Sequence, residues 1–131
     1  MKLLLKLLIA SIGLLYLLIW LRLMTDPGAM LEQFALVPEG IAGLNSLRAN
    51  VGVLFCAGTL FCFLSLRANG HWWLLPAAAL TGGAALGRLI GMAMDGIAWE
   101  SMTGLLFELA IIAIFLLAYR ALGGTASRSA D

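Results

Sequence analysis

The chain has 131 residues, of which 63% are apolar and only 11% are charged, and its formal net charge is +1. Ordinary soluble domains carry about 25% charged residues, and here the mean hydropathy is +1.03. This composition excludes a soluble globular enzyme and a disordered segment. A net charge this close to zero also provides no basic field for binding nucleic acid. We therefore predict an integral membrane protein.

Four apolar stretches are each long enough to cross a bilayer, which takes about 20 residues of helix. They cover residues 3–24, 43–66, 72–94 and 101–122. The first stretch is too long for the apolar region of a signal peptide, and no small-residue cleavage motif follows it, so we interpret it as a retained span. The predicted fold is an all-α, four-helix transmembrane bundle that forms a single domain over residues 1–131.

The connection between the first and second spans is the only long one, and it predicts a short helix on the membrane surface. Pro27 suits the first turn of a helix. Apolar side chains then follow at helical spacing: Met30, Leu31 and Phe34. We expect an amphipathic helix over residues 27–36. The other two connections are tight, so neighbouring spans should be antiparallel.

Basic residues are distributed unequally between the two sides, and this inequality predicts the orientation through the positive-inside rule. With both termini in the cytoplasm, five basic residues lie at the inner side: Lys2, Lys6, Arg67, Arg120 and Arg128. The outer side then carries only Arg22. We expect a multi-pass protein of the bacterial inner membrane with cytoplasmic N- and C-termini.

Charged residues also occur inside the predicted spans, at Arg48, Arg88 and Glu108. Each would cost roughly 2.5–3.5 kcal/mol at the centre of a membrane helix, so such residues normally face the interior of a bundle. At about 1.5 Å per residue, all three lie roughly 7–11 Å below the outer boundary. Asp95 shares a helix face with Arg88, and Asn45 shares one with Arg48. The sequence therefore predicts one buried charged layer near the outer face.

Glycines accompany these charges along the helices, and small residues allow helix backbones to approach closely. The predicted helix-packing positions are Gly52, Gly83, Gly87, Gly91 and Gly104. The first span offers only Tyr16 as a polar residue near its middle. We therefore expect the first helix to be the one most exposed to lipid.

The charged layer contains two arginines and two acidic residues, so it is neutral overall, and two interpretations of it remain open. A neutral set suits an ion-pair network that holds three helices together and binds nothing. Alternatively, the layer forms the floor of an outward-facing pocket, in which the arginines contact a headgroup or an anion and the acids supply counter-charge. The two cysteines, Cys56 and Cys62, and the single histidine, His71, provide neither a metal nor a haem site. The sequence favours a protein without cofactors, metal ions or enzymatic activity.

Short motifs around these charges resemble those of a bacterial family of small four-helix membrane proteins that is known only as a domain of unknown function. The motifs are Leu47-Arg48-Ala49-x-x-Gly52, Gly87-Arg88-Leu89-x-Gly91 leading to Asp95-Gly96, and a glutamate in the fourth span. The resemblance covers the chain from Leu3 to about Leu122, and it implies a single inner-membrane bundle without a known activity. More loosely, the architecture is similar to that of DoxX-type membrane proteins, which are associated with quinone or thiosulfate chemistry.

The sequence thus favours a bundle that binds a lipid, a quinone or a similar amphiphile, or that organises a membrane complex as a homo-oligomer or an accessory subunit. The alternative is a small proton-coupled transporter that uses Glu108 as its proton site and acts as an oligomer. The chain is similar in size to the small multidrug transporters, but those depend on a glutamate in the first span, which this chain lacks. A quinone-linked membrane enzyme is a third hypothesis, although no ligands for a redox centre are evident.

Overall fold

The computed structural model describes residues 1–31 and 36–123, and this part of the chain folds into helices joined by short connections. In chain order these are α1 (Lys2–Thr25), α2 (Gly28–Leu31), α3 (Gly40–Ser65), a 3₁₀ turn (Gly70–Trp73), α4 (Leu74–Asp95) and α5 (Trp99–Gly123). Helices α1, α3 and α5, and the 3₁₀ turn together with α4, are long and apolar enough to cross a membrane. The predicted all-α four-helix bundle is confirmed.

The ends of the four long helices differ from the predicted spans by at most three residues. The surface helix is shorter than predicted: α2 covers only Gly28–Leu31, and the backbone at residues 36–39 is not helical. Phe34, which the predicted apolar face includes, lies outside the described residues, as do Arg128 and Asp131. The described residues therefore contain only one helical turn of the predicted amphipathic helix.

Helix α1 packs chiefly against α3, and α4 chiefly against α5, while contacts of α1 with α5 and of α3 with α4 close the bundle. Small residues bring α1 and α3 together: a Cβ atom at Gly13 would lie only 2.9 Å from Cβ of Cys62. Ile9 and Leu23 of α1 are completely buried. Glycine positions on both α1 and α3 therefore draw one face of α1 into the bundle, while its other face carries exposed leucines. The expectation that the first helix is the most lipid-exposed stays a prediction.

The apolar core lies in the half of the bundle that contains the N terminus. Its cluster of buried residues is Ile9, Ile12, Cys62, Leu74, Ala77, Ala78, Phe115 and Ala118. Towards the opposite end, Leu23 is the one large side chain among the described residues that is completely buried. Burial of apolar surface is therefore concentrated at one end, and the ion pair described below lies towards the other.

A polar contact near the middle of the bundle links α1 to α4. The Tyr16 hydroxyl lies 3.5 Å from Oγ1 of Thr81. Thr81 already donates its own hydroxyl hydrogen to the Ala77 carbonyl, at 3.0 Å, so Tyr16 is the donor in this contact. The Tyr16 ring lies against Gly58 of α3, and it meets the Phe55 ring edge-on with centroids 5.5 Å apart. Tyr16 therefore contacts both α3 and α4.

Candidate ligand-binding site

The clearest polar feature inside the predicted spans is an ion pair between Arg88 of α4 and Glu108 of α5. Nη2 of Arg88 donates to Oε1 of Glu108 at 3.0 Å. Nε of Arg88 lies 3.4 Å from Oε1 and 3.3 Å from Oε2. Both oxygens of the carboxylate therefore face the guanidinium side-on, which fixes the orientation of both groups. The pair connects α4 to α5, the helix against which α4 chiefly packs.

Gly104 provides the space in which the guanidinium of Arg88 lies. A Cβ atom at Gly104 would be 2.8 Å from Cζ of Arg88 and 3.0 Å from both Nε and Nη1. Gly104 precedes Glu108 by four residues, so the two lie on the same face of α5. Any larger residue at position 104 would have to displace the guanidinium from the carboxylate.

An open groove of about 520 Å³ lies beside this pair, where α4 ends and α5 begins. Its lining consists of Ala84, Arg88, Gly91, Met92, Asp95, Gly96, Ala98 and Ser101. Gly96 has φ +102°, a conformation that L side chains rarely adopt, and it ends α4 so that the chain can return as α5. Small residues thus keep the groove open, and among the described residues Arg88 is the only basic one that lines it.

Part of the Arg88 guanidinium is not engaged by the protein. A guanidinium carries five N–H donors, and the bonds to Glu108 involve only Nε and Nη2. Nη1 makes no hydrogen bond to any described residue, and the side chain is 34% exposed, compared with 15% for Glu108. Glu108 therefore holds in place the guanidinium of a residue that lines the groove, and Nη1 of this guanidinium has no acceptor among the described residues.

Asp95 gives the groove a second charge. It is exposed, lines the groove, and forms no ion pair with the described residues. It is also the last residue of α4, where the aligned peptide dipoles place partial negative charge. Since Arg88 and Glu108 neutralise each other, the carboxylate of Asp95 leaves this region formally negative.

The structure corrects the prediction of one buried charged layer. Asp95 and Asn45 are exposed, Arg48, Arg88 and Glu108 are only half-buried, and of these residues only Arg88 and Glu108 form an ion pair within the described chain. Counter-charge from Asp95 to the arginines is therefore not observed. The three residues in the spans lie at similar depths, but similar depth does not bring them into contact.

Arg48 is separated from the pair because its face of α3 turns towards α1. Gly52, one turn further along α3, lies against that helix: its Cβ position is 2.6 Å from Cε of Met24 and 3.8 Å from Cδ2 of Leu23. Arg48 shares the face of Gly52. Its Nε is buried and has no hydrogen-bond partner among the described residues. The half-buried Arg48 thus has a buried, unpaired Nε and lies on the α3 face that contacts α1, apart from the groove.

The predicted packing glycines fall into two groups. Gly52 and Gly104 lie at contacts between helices, as described above. Gly83, Gly87 and Gly91 have no atom of another helix within 4 Å of their Cβ positions in the described structure. These three residues therefore make no close contact within the described bundle, because α4 instead packs through the face that carries Ala77, Thr81 and Ala85. Their role in helix packing stays a prediction.

Sequence reasoning missed the contacts of Tyr16 with Gly58 and Thr81. A glycine in the middle of an apolar span was the available signal at Gly58, since it marks a place where a neighbouring helix or ring can approach. At Thr81 there was no comparable signal, because a threonine hydroxyl can return to its own helix, as it also does here.

No family model, curated protein or solved structure matches this chain. The resemblance to the four-helix bacterial family and to DoxX-type proteins therefore stays a prediction. Within the described residues, no group of three or more histidine, cysteine, aspartate or glutamate side chains is placed to hold a metal ion. The chemistry available at the groove is hydrogen bonding and charge.

Proposed function

We propose that the groove between α4 and α5 binds the headgroup of a membrane amphiphile, and that a zwitterionic phospholipid is the class its charges fit best. One observation carries this proposal. Arg88 lines an open groove and is 34% exposed although Glu108 fixes its guanidinium, and Nη1 makes no hydrogen bond to a described residue. A fixed donor of this kind is what a site needs to bind a phosphate or carbonyl oxygen.

The charges at the groove favour a zwitterionic headgroup over a purely anionic one. Arg88 supplies donors for a phosphate oxygen, while Asp95 is an exposed acceptor without a basic partner in the described chain. An anionic headgroup would be attracted by Arg88 but repelled by Asp95. A headgroup that also carries an ammonium gains from both residues, and the four apolar helices give its acyl chains a surface to lie against.

The proposal includes the orientation derived from the basic residues. With both termini in the cytoplasm of a bacterial cell, the α4–α5 connection lies at the outer side of the inner membrane, and the groove opens towards the outer leaflet. The count of basic residues supports this orientation: Lys2, Lys6, Arg67 and Arg120 lie at one end of the bundle, and Arg22 at the other.

Transport coupled to protons through Glu108 has less support. Both carboxylate oxygens of Glu108 face Arg88, so a proton site there requires the pair to separate. Glu108 does not line the groove either. A quinone remains the second candidate ligand, since Nη1 of Arg88 could donate to a quinone carbonyl, but a quinone would leave Asp95 without a role.

Photolabelling with a phosphatidylethanolamine that carries a photoactivatable group near its headgroup tests the proposal. We expect labelling of the segment 84–101 in purified protein, and a loss of that labelling in Arg88→Gln. Arg22→Gln is the matched control, because Arg22 is exposed, lies at the same end of the bundle and does not line the groove. Equal labelling of wild type and Arg88→Gln would contradict the proposal.

Two further arms separate the alternatives. Displacement of the label by a short-chain quinone, but not by unlabelled phosphatidylethanolamine, would assign the groove to a quinone. Solute uptake into proteoliposomes that is driven by a pH gradient and abolished by Glu108→Gln would favour the proton-coupled transporter. We expect neither result. Helical content and elution volume of each variant confirm that the bundle is intact.

A further inference from the structure

A second cavity lies at the opposite end of the bundle, beside the N terminus. It measures about 660 Å³. Its lining residues come from α1, the end of α3, the connection that follows α3, the 3₁₀ turn and α5: Lys2, Leu3, Lys6, Ser65, Leu66, Arg67, Ala68, Asn69, Gly70, His71 and Leu122. Five chain segments therefore converge on one concave surface, at the other end of the bundle from the groove that Arg88 lines.

The charged residues that line this cavity in the described part of the chain all have the same sign. They are Lys2, Lys6 and Arg67, and no described aspartate or glutamate lines the cavity. None of the three forms an ion pair with a described residue. A basic bias at this end follows from the positive-inside rule, but that rule does not require the residues to share a cavity. Arg120, which lies at the same end without lining the cavity, illustrates the difference.

Local backbone geometry brings Arg67 and His71 to the cavity. Asn69 adopts a left-handed conformation with φ 57°, and the Gly70 N–H donates to the Arg67 carbonyl at 3.0 Å. This turn carries the chain directly from α3 into the 3₁₀ turn. The His71 ring is buried, with its centroid 5.1 Å from that of Trp72 and 5.7 Å from that of Tyr119. The part of the cavity wall that His71 forms is therefore well packed.

The aromatic residues beside the cavity indicate its depth in the membrane. Trp72 is 60% exposed and Trp73 is 43% exposed. Tryptophan and tyrosine concentrate at the level of the lipid headgroups. Leu3, Leu66 and Leu122 add apolar surface to the lining. A ligand here would meet basic groups and apolar surface together, as a lipid does and a free anion does not.

We propose that this cavity binds the phosphate headgroup of an anionic membrane lipid. Lys2, Lys6 and Arg67 attract the phosphate, and the leucines contact the first part of the acyl chains. Basic pockets between membrane helices bind such headgroups elsewhere, and each cation near the surface strengthens binding about fivefold. The site is independent of the α4–α5 groove, whose charges favour a zwitterionic lipid instead.

Native mass spectrometry of the purified protein in mild detergent tests this proposal by titration with phosphatidylglycerol and with phosphatidylcholine of the same chain length. We expect the binding of phosphatidylglycerol, but not that of phosphatidylcholine, to depend on Lys6 and Arg67. The double variant Lys6→Gln/Arg67→Gln should weaken its binding about 25-fold, from about fivefold per cation. The double variant Arg22→Gln/Arg120→Gln removes the same charge from exposed positions outside the cavity, and it should leave binding unchanged.

Three results would overturn the proposal. They are unchanged phosphatidylglycerol binding in Lys6→Gln/Arg67→Gln, equal weakening by the two double variants, and displacement of the lipid by an equal concentration of inorganic phosphate. If Lys6→Gln/Arg67→Gln fails to fold, Ala68→Glu introduces a carboxylate at an exposed lining position and removes no cation. The same selective loss of phosphatidylglycerol is expected from it, and unchanged binding would count against the cavity.

Discussion

The guanidinium of Arg88 lies directly on Gly104, with Cζ 2.8 Å from the position that a Cβ atom would occupy. The ion pair with Glu108 thus depends on three residues, because the absent side chain at position 104 makes room for the guanidinium. Gly104 and Glu108 are four residues apart on α5, so the space and the carboxylate are presented together. This arrangement explains why a charged pair can occupy the contact between two apolar helices.

Gly104→Ala should separate the pair and lower the stability of the bundle by about 1–3 kcal/mol, since overpacking at a helix contact has effects of this size. Reversible unfolding in mixed detergent micelles measures the change. Gly82→Ala is the matched control, because no atom lies within 4 Å of its Cβ position. It should leave stability unchanged or raise it slightly. Equal destabilisation by both variants would contradict the role given to Gly104.

Removing Arg88 alone should be more harmful than removing the whole pair. Arg88→Met leaves the carboxylate of Glu108, which is 15% exposed, without its partner. The double variant Arg88→Met/Glu108→Met has no uncompensated charge and should be more stable than Arg88→Met. A double-mutant cycle should give a coupling of about 1–2 kcal/mol, because polar contacts in membrane bundles are modest. Additive effects would show that the pair contributes nothing.

Gly58→Ala should destabilise the bundle more than Tyr16→Phe does. A Cβ atom at Gly58 would lie 2.5 Å from Cδ2 of Tyr16, so the ring must move. The Tyr16 hydroxyl makes only a long contact, 3.5 Å from Thr81, and its removal should change stability by less than about 1 kcal/mol. The unfolding measurement used above compares the two variants. The reverse order would mean that the hydroxyl, rather than the ring, connects the helices.

Arg48→Met should leave stability unchanged or raise it by up to about 1 kcal/mol. Nε of Arg48 is buried without a hydrogen-bond partner among the described residues. Replacing an unsatisfied polar group by an apolar one of similar length removes that penalty. Arg48→Lys, which keeps the charge but shortens the donor group, serves as the comparison. A loss of 2 kcal/mol or more in Arg48→Met would show that Arg48 has a partner beyond the described residues.

The number of helices and their extents could be predicted because they depend on local properties of the sequence. A run of about 20 apolar residues is sufficient for a membrane helix, and small residues such as Gly96 mark where a helix ends. Depth along a helix is equally predictable, which is why Arg88 and Glu108 were placed in one layer. Their contact then followed from the tight connection between α4 and α5.

Which side of each helix faces its neighbours was less predictable, because this depends on the rotational orientation of the helix about its own axis in the bundle. Arg48 lies at a similar depth but on a face that turns towards α1. Gly83 and Gly87 belong to a regular small-residue pattern, yet they face away from the other described helices. A pattern along one helix identifies a face but not the neighbour that covers it. The basic cavity was missed for the same reason, since its lining comes from separate segments that only the fold brings together.

The most direct test of lipid binding in the groove is native mass spectrometry of the protein extracted in mild detergent. The measurement detects the phospholipid that the protein retains. Gly91→Leu fills the groove without changing the ion pair, since Gly91 lines the groove and has open space at its Cβ position. Gly83→Leu makes the same change on α4 outside the groove. We predict that wild type and Gly83→Leu retain phosphatidylethanolamine and that Gly91→Leu loses it. Equal retention by all three proteins would contradict the assignment of the groove as a lipid-binding site.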